Sequence, residues 1–429
     1  MAEAPPPETV PRLARTRAMV RGLAVDLTPL RQSRDYRLLW TGELVSTMGR
    51  QITVVALPFQ VYLQTRSPLA VGLIGLVEVA PLIVSTIAGG AIADRRDRRT
   101  LILVTEFGLA ATSALLLVGV LRGFGVNTPS RSAAVPNLVS RDQLPAALAL
   151  NQVLFNSSMI VGPSVAGLIL GAFANPRMGL AWAYGTDIAT FAVAIGAVVR
   201  MRPLPPKRDA AEARAATGLK EIQEGFSYLR TQRVLISTFL VDLDAMIFGM
   251  PRALFPVLAL TVFGVGPRGL GFLYAAPAAG ALLGAVTAGW VGRVKHQGRA
   301  VVWAVALWGA AITGFGLSGQ LFGLALLFLA FAGAADVISA VFRGAILQLN
   351  VPDSLRGRLS AVHIMVVTGG PRVGDFEAGA VAALVSPWFS VVSGGVVCVA
   401  GVLVLARLFP ELWRYHASTT LPDDGPPGG

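Results

Sequence analysis

The chain has 429 residues, of which 54% are hydrophobic and 14% are charged, and its mean hydropathy is +0.64. Soluble domains carry about 25% charged residues, so this composition excludes a soluble globular protein and indicates a polytopic membrane protein. In a membrane protein, the formal net charge of +12 reflects Lys and Arg residues on one side of the bilayer, so we do not interpret it as a nucleic-acid-binding surface. We expect no nucleic-acid partner.

Apolar runs near or above the ~20 residues that cross a bilayer recur along the chain and predict an all-α fold. Residues 1–35 precede them as a cytoplasmic arm, because they contain prolines and scattered arginines but lack the apolar core of a signal peptide. The predicted spans, numbered 1–3 and 5–12, lie at about 38–63, 70–93, 100–121, 144–172, 180–199, 234–263, 270–291, 300–317, 321–349, 359–385 and 388–409.

The polar segment 201–233 divides these spans into two similar halves. Proline opens it and a charged, amphipathic stretch closes it, which predicts a cytoplasmic linker with a surface helix. The halves are an N-terminal half at 36–200 and a C-terminal half at 234–410, followed by a cytoplasmic tail at 411–429. Weak similarity between "GGAIADRRDRR" and "AGWVGRVKHQGR" indicates a duplication of the kind found in secondary transporters.

The distribution of basic residues predicts the orientation. With the N-terminus in the cytoplasm, roughly 29 of the 36 Lys and Arg fall in the arm, the tail and the inward loops or helix ends. Arg50, Arg252 and Arg372 remain at membrane depth. This asymmetry places both termini in the cytoplasm and favours an even number of crossings.

The stretch "GGAIADRRDRRTLIL", which follows span 2, concentrates charge between two apolar segments. It resembles the signature Gly-x-x-x-Asp-Arg-x-Gly-Arg-Arg of the major facilitator superfamily, with Asp97 in the place of the usual glycine. The resemblance implies a cytoplasmic gating loop, in which Asp94 acts as a latch that pairs with Arg131. The loop residues are Gly90, Asp94, Arg95, Arg98, Arg99 and Arg131.

The Asp97 variant and the stretch "DLDAMIFGMPRALFP" are similar to the branch of this superfamily that contains the enterobactin exporter and macrolide efflux proteins. The resemblance implies two six-helix halves that enclose a central cavity. In span 5, "SSMIVGPSVAGLILG" resembles the superfamily's antiporter signature at Gly162, Pro163 and Gly167, which favours export over uptake.

The fourth crossing departs from that pattern. After Leu121 the sequence has no apolar run long enough to span, and Arg99 to Arg131 covers about 32 residues where the matching interval in the second half covers about 44. An eleven-span topology would invert the second half and place its basic loops outside. We therefore expect 11–12 spans, with helix 4 shortened or defective.

Ionisable groups at membrane depth are costly and usually face a cavity or one another, so they are the candidates for proton coupling and substrate binding. The resemblance implies that spans 1, 7 and 10 line the cavity. A purely structural ion-pair role is the alternative for each residue, above all for the close group Arg372, Asp375 and Glu377. The candidates are Glu43, Arg50, Asp242, Asp244, Arg252, Asp336, Arg372, Asp375 and Glu377.

These features predict a secondary transporter in a bacterial inner membrane that uses no cofactor or metal and has no catalytic residues. Its partners would be a small-molecule substrate, protons and membrane lipids, and we expect a monomer. The favoured function is proton-coupled export of a siderophore or a lipophilic drug by alternating access. The alternatives are a transport-impaired relative with an interaction or regulatory role, since helix 4 is defective, and an importer of a small metabolite.

Overall fold

A computed structural model describes residues 27–93, 97–122, 144–203 and 219–416. All regular secondary structure in these ranges is helical. The helices are α1 (Thr28–Gln32), α2 (Arg34–Thr65), α3 (Pro68–Ala93), α4 (Arg98–Arg122), α5 (Leu144–Leu170), α6 (Pro176–Val199), α7 (Leu219–Thr231), α8 (Arg233–Phe248), α9 (Gly266–Thr287), α10 (Gln297–Leu317), α11 (Phe322–Asn350), α12 (Asp353–Leu384), α13 (Pro387–Leu408) and α14 (Pro410–Trp413).

The all-α membrane fold predicted from hydropathy is confirmed, and each numbered span except the seventh corresponds to one main helix. Within the described ranges, eight helices are long and apolar enough to cross a bilayer, and Pro68–Leu82 of α3 is a shorter apolar segment. Helix α12 begins at Asp353, about six residues before the predicted span, because its first turns are polar and hydropathy does not register them. The predicted shortened or defective helix 4 falls in 123–143, outside the described residues.

Local sequence signals define where several helices begin. The side chains of Ser33, Asn175 and Ser386 accept backbone N–H groups at the starts of α2, α6 and α13. Asp97, the residue that replaces the signature glycine, does the same for α4, since its Oδ1 accepts Thr100 N–H at 3.2 Å. The unusual residue of the loop signature is therefore a helix cap.

The seventh span is broken, although hydropathy predicts one continuous helix. Helix α8 ends at Phe248, Pro251 follows, and the chain reaches Val262 through successive 3₁₀, α and π turns. Proline removes a backbone donor and clashes with the preceding turn, so it interrupts the helical bonding. Two groups satisfy the freed backbone: Trp308 Nε1 donates to the carbonyl of Gly249 at 2.9 Å, and Asp375 Oδ1 accepts Ala253 N–H at 3.0 Å.

The helices pack as two bundles. In the first, α2 lies against α5 and α6, and α4 lies against α6. In the second, α10 packs between α11 and α13, α9 packs on α11, and α8 packs on α12 and α13. The bundles meet along two helix pairs, α3 with α12 and α5 with α9.

Glycines bring the two bundles together at one end, which carries residues 66–67 and is called here the 66–67 end. A Cβ on Gly72 would lie 2.5 Å from the carbonyl oxygen of Asp375, and one on Gly271 would lie 2.5 Å from the carbonyl oxygen of Pro163. Such distances leave no room for a side chain, so the backbones touch directly. The opposite end, which carries residues 294–296 and 409–416, is called the basic end.

Candidate transport site

The second bundle contains a buried set of one arginine and two aspartates. Arg343 Nη1 of α11 lies 2.7 Å from Asp242 Oδ1 of α8, and its Nη2 lies 3.9 Å from Asp336 Oδ1. The side chains of Arg343 and Asp242 are 8% and 2% exposed, whereas that of Asp336 is 35% exposed. Asp242 is thus the fixed partner of the guanidinium, and Asp336 is the accessible one.

The first bundle contains a similar set on α2 and α4. Arg50 donates to Glu43 Oε1 at 2.6 Å and also to Thr47 Oγ1, and its Nη1 lies 4.0 Å from Glu106 Oε1. Glu106 is buried, and Glu43 is about one-third exposed. Here too a guanidinium lies between one accessible and one buried carboxylate.

The chemistry of the two sets follows from their charge. Two ionised carboxylates and one guanidinium leave one surplus negative charge, which is unfavourable at membrane depth. One proton on Asp336 neutralises the set around Arg343 and leaves the buried Asp242 paired. That set can therefore take up or release a proton without leaving an unpaired buried charge.

Asp244 lies two residues after Asp242 but faces a different helix. The thiol of Cys398 on α13 lies beside its carboxylate. A side chain on Gly401 would overlap the carboxylate of Asp244, so this glycine provides the space that the acid occupies. The two neighbouring aspartates therefore belong to separate helix contacts.

The residues predicted to form a close group on α12 reach different partners. Arg372 Nη2 lies 3.2 Å from Glu78 Oε2 of α3, across the contact between the bundles. Asp375 binds the backbone at the break in the seventh span, beside the exposed Arg252. Glu377 is half-buried and lies two residues after Asp375, closer to the 66–67 end. This part of α12 thus connects both bundles to the helix break.

An apolar cavity of about 220 Å³ lies on the basic-end side of the Arg372–Glu78 pair. It is formed by α3, α8 and α12, so both bundles contribute to it. Its lining residues are Val79, Leu82, Leu243, Met365, Val366, Gly369, Gly370 and Val373.

Asp187 on α6 was not predicted from the sequence, although it is the most enclosed carboxylate among the described residues of the first bundle. Its exposed fraction is 0%, and its Oδ2 accepts hydrogen bonds from Thr53 at 2.5 Å and Ser113 at 2.7 Å. It joins α2, α4 and α6. The rule that selected Asp242, an acid inside an apolar run, would also have found it.

The loop signature is described only in part. Gly90 lies in the last turn of α3, and Asp94, Arg95 and Arg131 fall outside the described residues, as does the predicted Asp94–Arg131 latch. Arg98 is half-buried in the first turn of α4. Arg99 donates to the carbonyls of Val198 at 3.1 Å and Val199 at 2.6 Å, the last residues of α6. A cation at this position satisfies terminal carbonyls and complements the helix dipole.

The antiporter-like residues of α5 lie where close approach is required. A Cβ on Gly162 would overlap the side chain of Gln51 on α2, and one on Gly167 would lie 2.9 Å from Gly271 Cα on α9. The carbonyl of Pro163 abuts Gly271 from the same side. The motif therefore joins α5 both to its own bundle and to the other one.

Comparison with known proteins gives a family and a set of relatives. A model of the family described as transmembrane secretion effector matches residues 24–419. The enterobactin exporter EntS of Citrobacter koseri is 26% identical over 420 residues, which cover 94% of this chain and 98% of that protein. The enterobactin exporter EntS of Escherichia coli O1:K1 is 26% identical over 410 residues, with 91% and 96% covered.

Solved structures share the fold at low identity. A bacterial homologue of the iron transporter ferroportin, in an inward-facing state, matches with a TM-score of 0.63 and 15% identity over 88% of this chain and 98% of that one. The D-xylose-proton symporter matches with a TM-score of 0.62 and 13% identity over 88% and 98%. A peptide transporter, POT, matches with a TM-score of 0.65 and 12% identity over 89% and 95%.

Proposed function

Because this chain belongs to the transmembrane secretion effector family of the major facilitator superfamily, it is a multi-pass membrane transporter and not an enzyme, and we propose that it is a proton-coupled exporter. The proposed substrate is a catecholate siderophore of the enterobactin type, a class favoured by the names of its relatives. A lipophilic drug is the other substrate class that the sequence favours. We place the protein in a bacterial inner membrane as a monomer, with both termini in the cytoplasm.

The observation that carries the proposal is the Asp242–Arg343–Asp336 set beside the broken seventh span. Discontinuous helices at membrane depth are where secondary transporters commonly bind substrates and coupling ions. Asp336 is the member that a proton can reach, since 35% of its side chain is exposed. Protonation there leaves Arg343 paired with Asp242 alone, at 2.7 Å.

Substrate binding is assigned to the accessible cations near the centre. Arg252 is exposed at the helix break, and Arg50 is 22% exposed between its two acids. A guanidinium recognises paired phenolate or carboxylate oxygens through two parallel donors. The apolar cavity of about 220 Å³ would take an aromatic ring, since an apolar cavity of about 150 Å³ already binds benzene.

Alternating access follows from the two contacts between the bundles. Both glycine contacts lie at the 66–67 end, which we take to be the periplasmic end because the basic residues concentrate at the other. Rocking about the centre would open these contacts and release substrate there. Protonation of Asp336 from that side and deprotonation from the cytoplasm would reset the carrier.

The test is transport in proteoliposomes with an imposed pH gradient. A catecholate siderophore and a lipophilic dye are supplied separately, and their accumulation is followed with and without an ionophore that collapses the gradient. We expect accumulation by the wild type to depend on the gradient, and Asp336→Asn to lose that dependence. Glu411→Gln, which changes an acid at the basic end, is the matched control and retains it.

Other outcomes would reject the proposal. Accumulation that persists unchanged after the gradient collapses would exclude proton coupling. Movement of neither substrate by a folded wild-type protein would instead favour the transport-impaired alternative.

A further inference from the structure

The last described segment of the chain, 409–416, is held against the basic end of the second bundle. Glu411 accepts a hydrogen bond from Arg233 at 2.9 Å, and Leu412 is fully buried. Asn350 Nδ2 donates to Tyr415 Oη at 2.7 Å. A side chain on Gly298 would overlap the carbonyl of Leu412, so the two backbones touch. The segment therefore joins the ends of α8, α10 and α11.

Cations gather where this segment meets the start of α10. Five exposed side chains form this basic face: Lys295, His296, Arg299, Arg414 and His416. The two imidazole rings lie 4.2 Å apart between centroids. Among the described residues, Glu411 is the acid of the same segment, and Arg233 already neutralises it. Lys295, Arg299 and Arg414 thus leave a surplus positive charge on the face even when both histidines are neutral.

The electrostatic effect of this surplus is visible at His296. Desolvation lowers the pKa of His296, and the neighbouring His416, Arg299 and Lys295 lower it further. A further positive charge on His296 is therefore unfavourable, and an anion bound to this face would reverse the effect.

Tryptophans lie next to the cations. The guanidinium of Arg299 lies 5.4 Å from the centre of the Trp413 ring, and Trp303, one turn further along α10, lies 6.5 Å from Trp413 and is 57% exposed. Tryptophan beside Lys and Arg at the end of a spanning helix is typical of the level where lipid headgroups meet the acyl chains.

We propose that the basic face binds the headgroup of an anionic phospholipid, with its phosphate between Arg299, Arg414 and the paired histidines. Trp303 and Trp413 then lie beside the first part of the acyl chains. The bound lipid would hold the segment 409–416 against α10 and so fix the basic end of the second bundle. This site is separate from the transport site and does not depend on what the protein carries.

The test is lipid retention measured by native mass spectrometry on protein released from nanodiscs that contain phosphatidylcholine and phosphatidylglycerol. We expect the wild type to retain one phosphatidylglycerol in preference to phosphatidylcholine. Arg299→Gln/Arg414→Gln should weaken retention about 25-fold, because each basic residue near a membrane surface contributes about fivefold. Arg407→Gln, which removes another exposed arginine near the same end, is the matched control and retains the lipid.

A second variant separates lipid binding from the packing of Trp413. Lys295→Gln/His416→Gln leaves the Arg299–Trp413 contact in place and should also weaken retention. Equal retention by the wild type and both variants would overturn the proposal. Displacement of the lipid by inorganic phosphate at equal concentration would also overturn it, because the face would then bind phosphate and not a lipid.

Histidine chemistry gives an independent readout in intact nanodiscs. The chain has three histidines, and His363 in α12 serves as an internal reference for ¹³C-histidine NMR. Phosphatidylglycerol should raise the pKa of His296 more in the wild type than in Arg299→Gln/Arg414→Gln. An equal rise in both proteins would reflect only the general surface potential and would contradict a specific site.

Discussion

Removal of Arg343 should destabilise the protein far more than its single charge suggests. The change Arg343→Met keeps an unbranched side chain of similar length and removes the guanidinium that lies 2.7 Å from Asp242 Oδ1. Asp242 is 2% exposed and would be left without this cation. Loss of one partner from a buried ion pair costs about 3–5 kcal/mol, because the remaining charge stays buried and uncompensated.

The double variant Asp242→Asn/Arg343→Met separates this cost from a general packing defect. It removes both charges, so most of the lost stability should return, since replacing both members of a buried pair is often nearly neutral. The assay is thermal unfolding of purified protein in detergent, followed by fluorescence. Arg233→Gln, at an exposed pair with Glu411, is the control and should change the midpoint little.

Two results would refute this reasoning. If Arg343→Met unfolds at the wild-type midpoint, Arg343 does not neutralise Asp242. If the double variant is no more stable than the single one, packing of the arginine stem, and not the charge, accounts for the loss.

Three further predictions concern other parts of the molecule. Gly271→Val should block closure of the 66–67 end, because a side chain there would overlap the carbonyl of Pro163. A cysteine-labelling assay should then find that end open. The control Gly108→Val, where a Cβ meets nothing within 4 Å, should label like the wild type. Asp187→Ala removes the acceptor of two buried hydrogen bonds and should lower the free energy of unfolding by about 2–5 kcal/mol, measured in denaturant, while Asp187→Asn retains part of it. The hydrogen bond from Arg233 holds the pKa of Glu411 below its ordinary value. Docking of the segment 409–416 should therefore be constant above pH ~5 and should weaken as the pH falls through the lowered pKa. The measurement is the rate at which carboxypeptidase releases C-terminal residues, which should increase after incubation in acid. Release that is independent of pH would contradict the role of that pair.

The sequence predicts the helices well because each must be apolar over about 20 residues, and hydropathy measures that requirement directly. It also places Asp242, Asp336 and Arg252 at membrane depth. It does not pair Asp242 with Arg343, because the two lie on different helices about a hundred residues apart and only packing brings them together.

Other features depend on geometry that residue types do not carry. The signature arginine Arg99 binds the carbonyl end of α6, a contact 99 residues away in the chain. Asp187 satisfies the rule of an acid inside an apolar run, but the resemblance directs attention to spans 1, 7 and 10, and Asp187 lies in span 6. The break after Phe248 is signalled by Pro251, yet hydropathy averages over it and predicts a continuous span.

Proton movement measured during transport tests the central claim most directly. Proteoliposomes containing the wild type and an internal pH dye receive a catecholate siderophore on the outside, with no imposed gradient. An exporter coupled at Asp336 moves protons against the direction of the substrate, so siderophore entry should make the interior more alkaline, and Asp336→Asn should abolish the signal. Siderophore entry with no change in internal pH would contradict proton-coupled export by this protein.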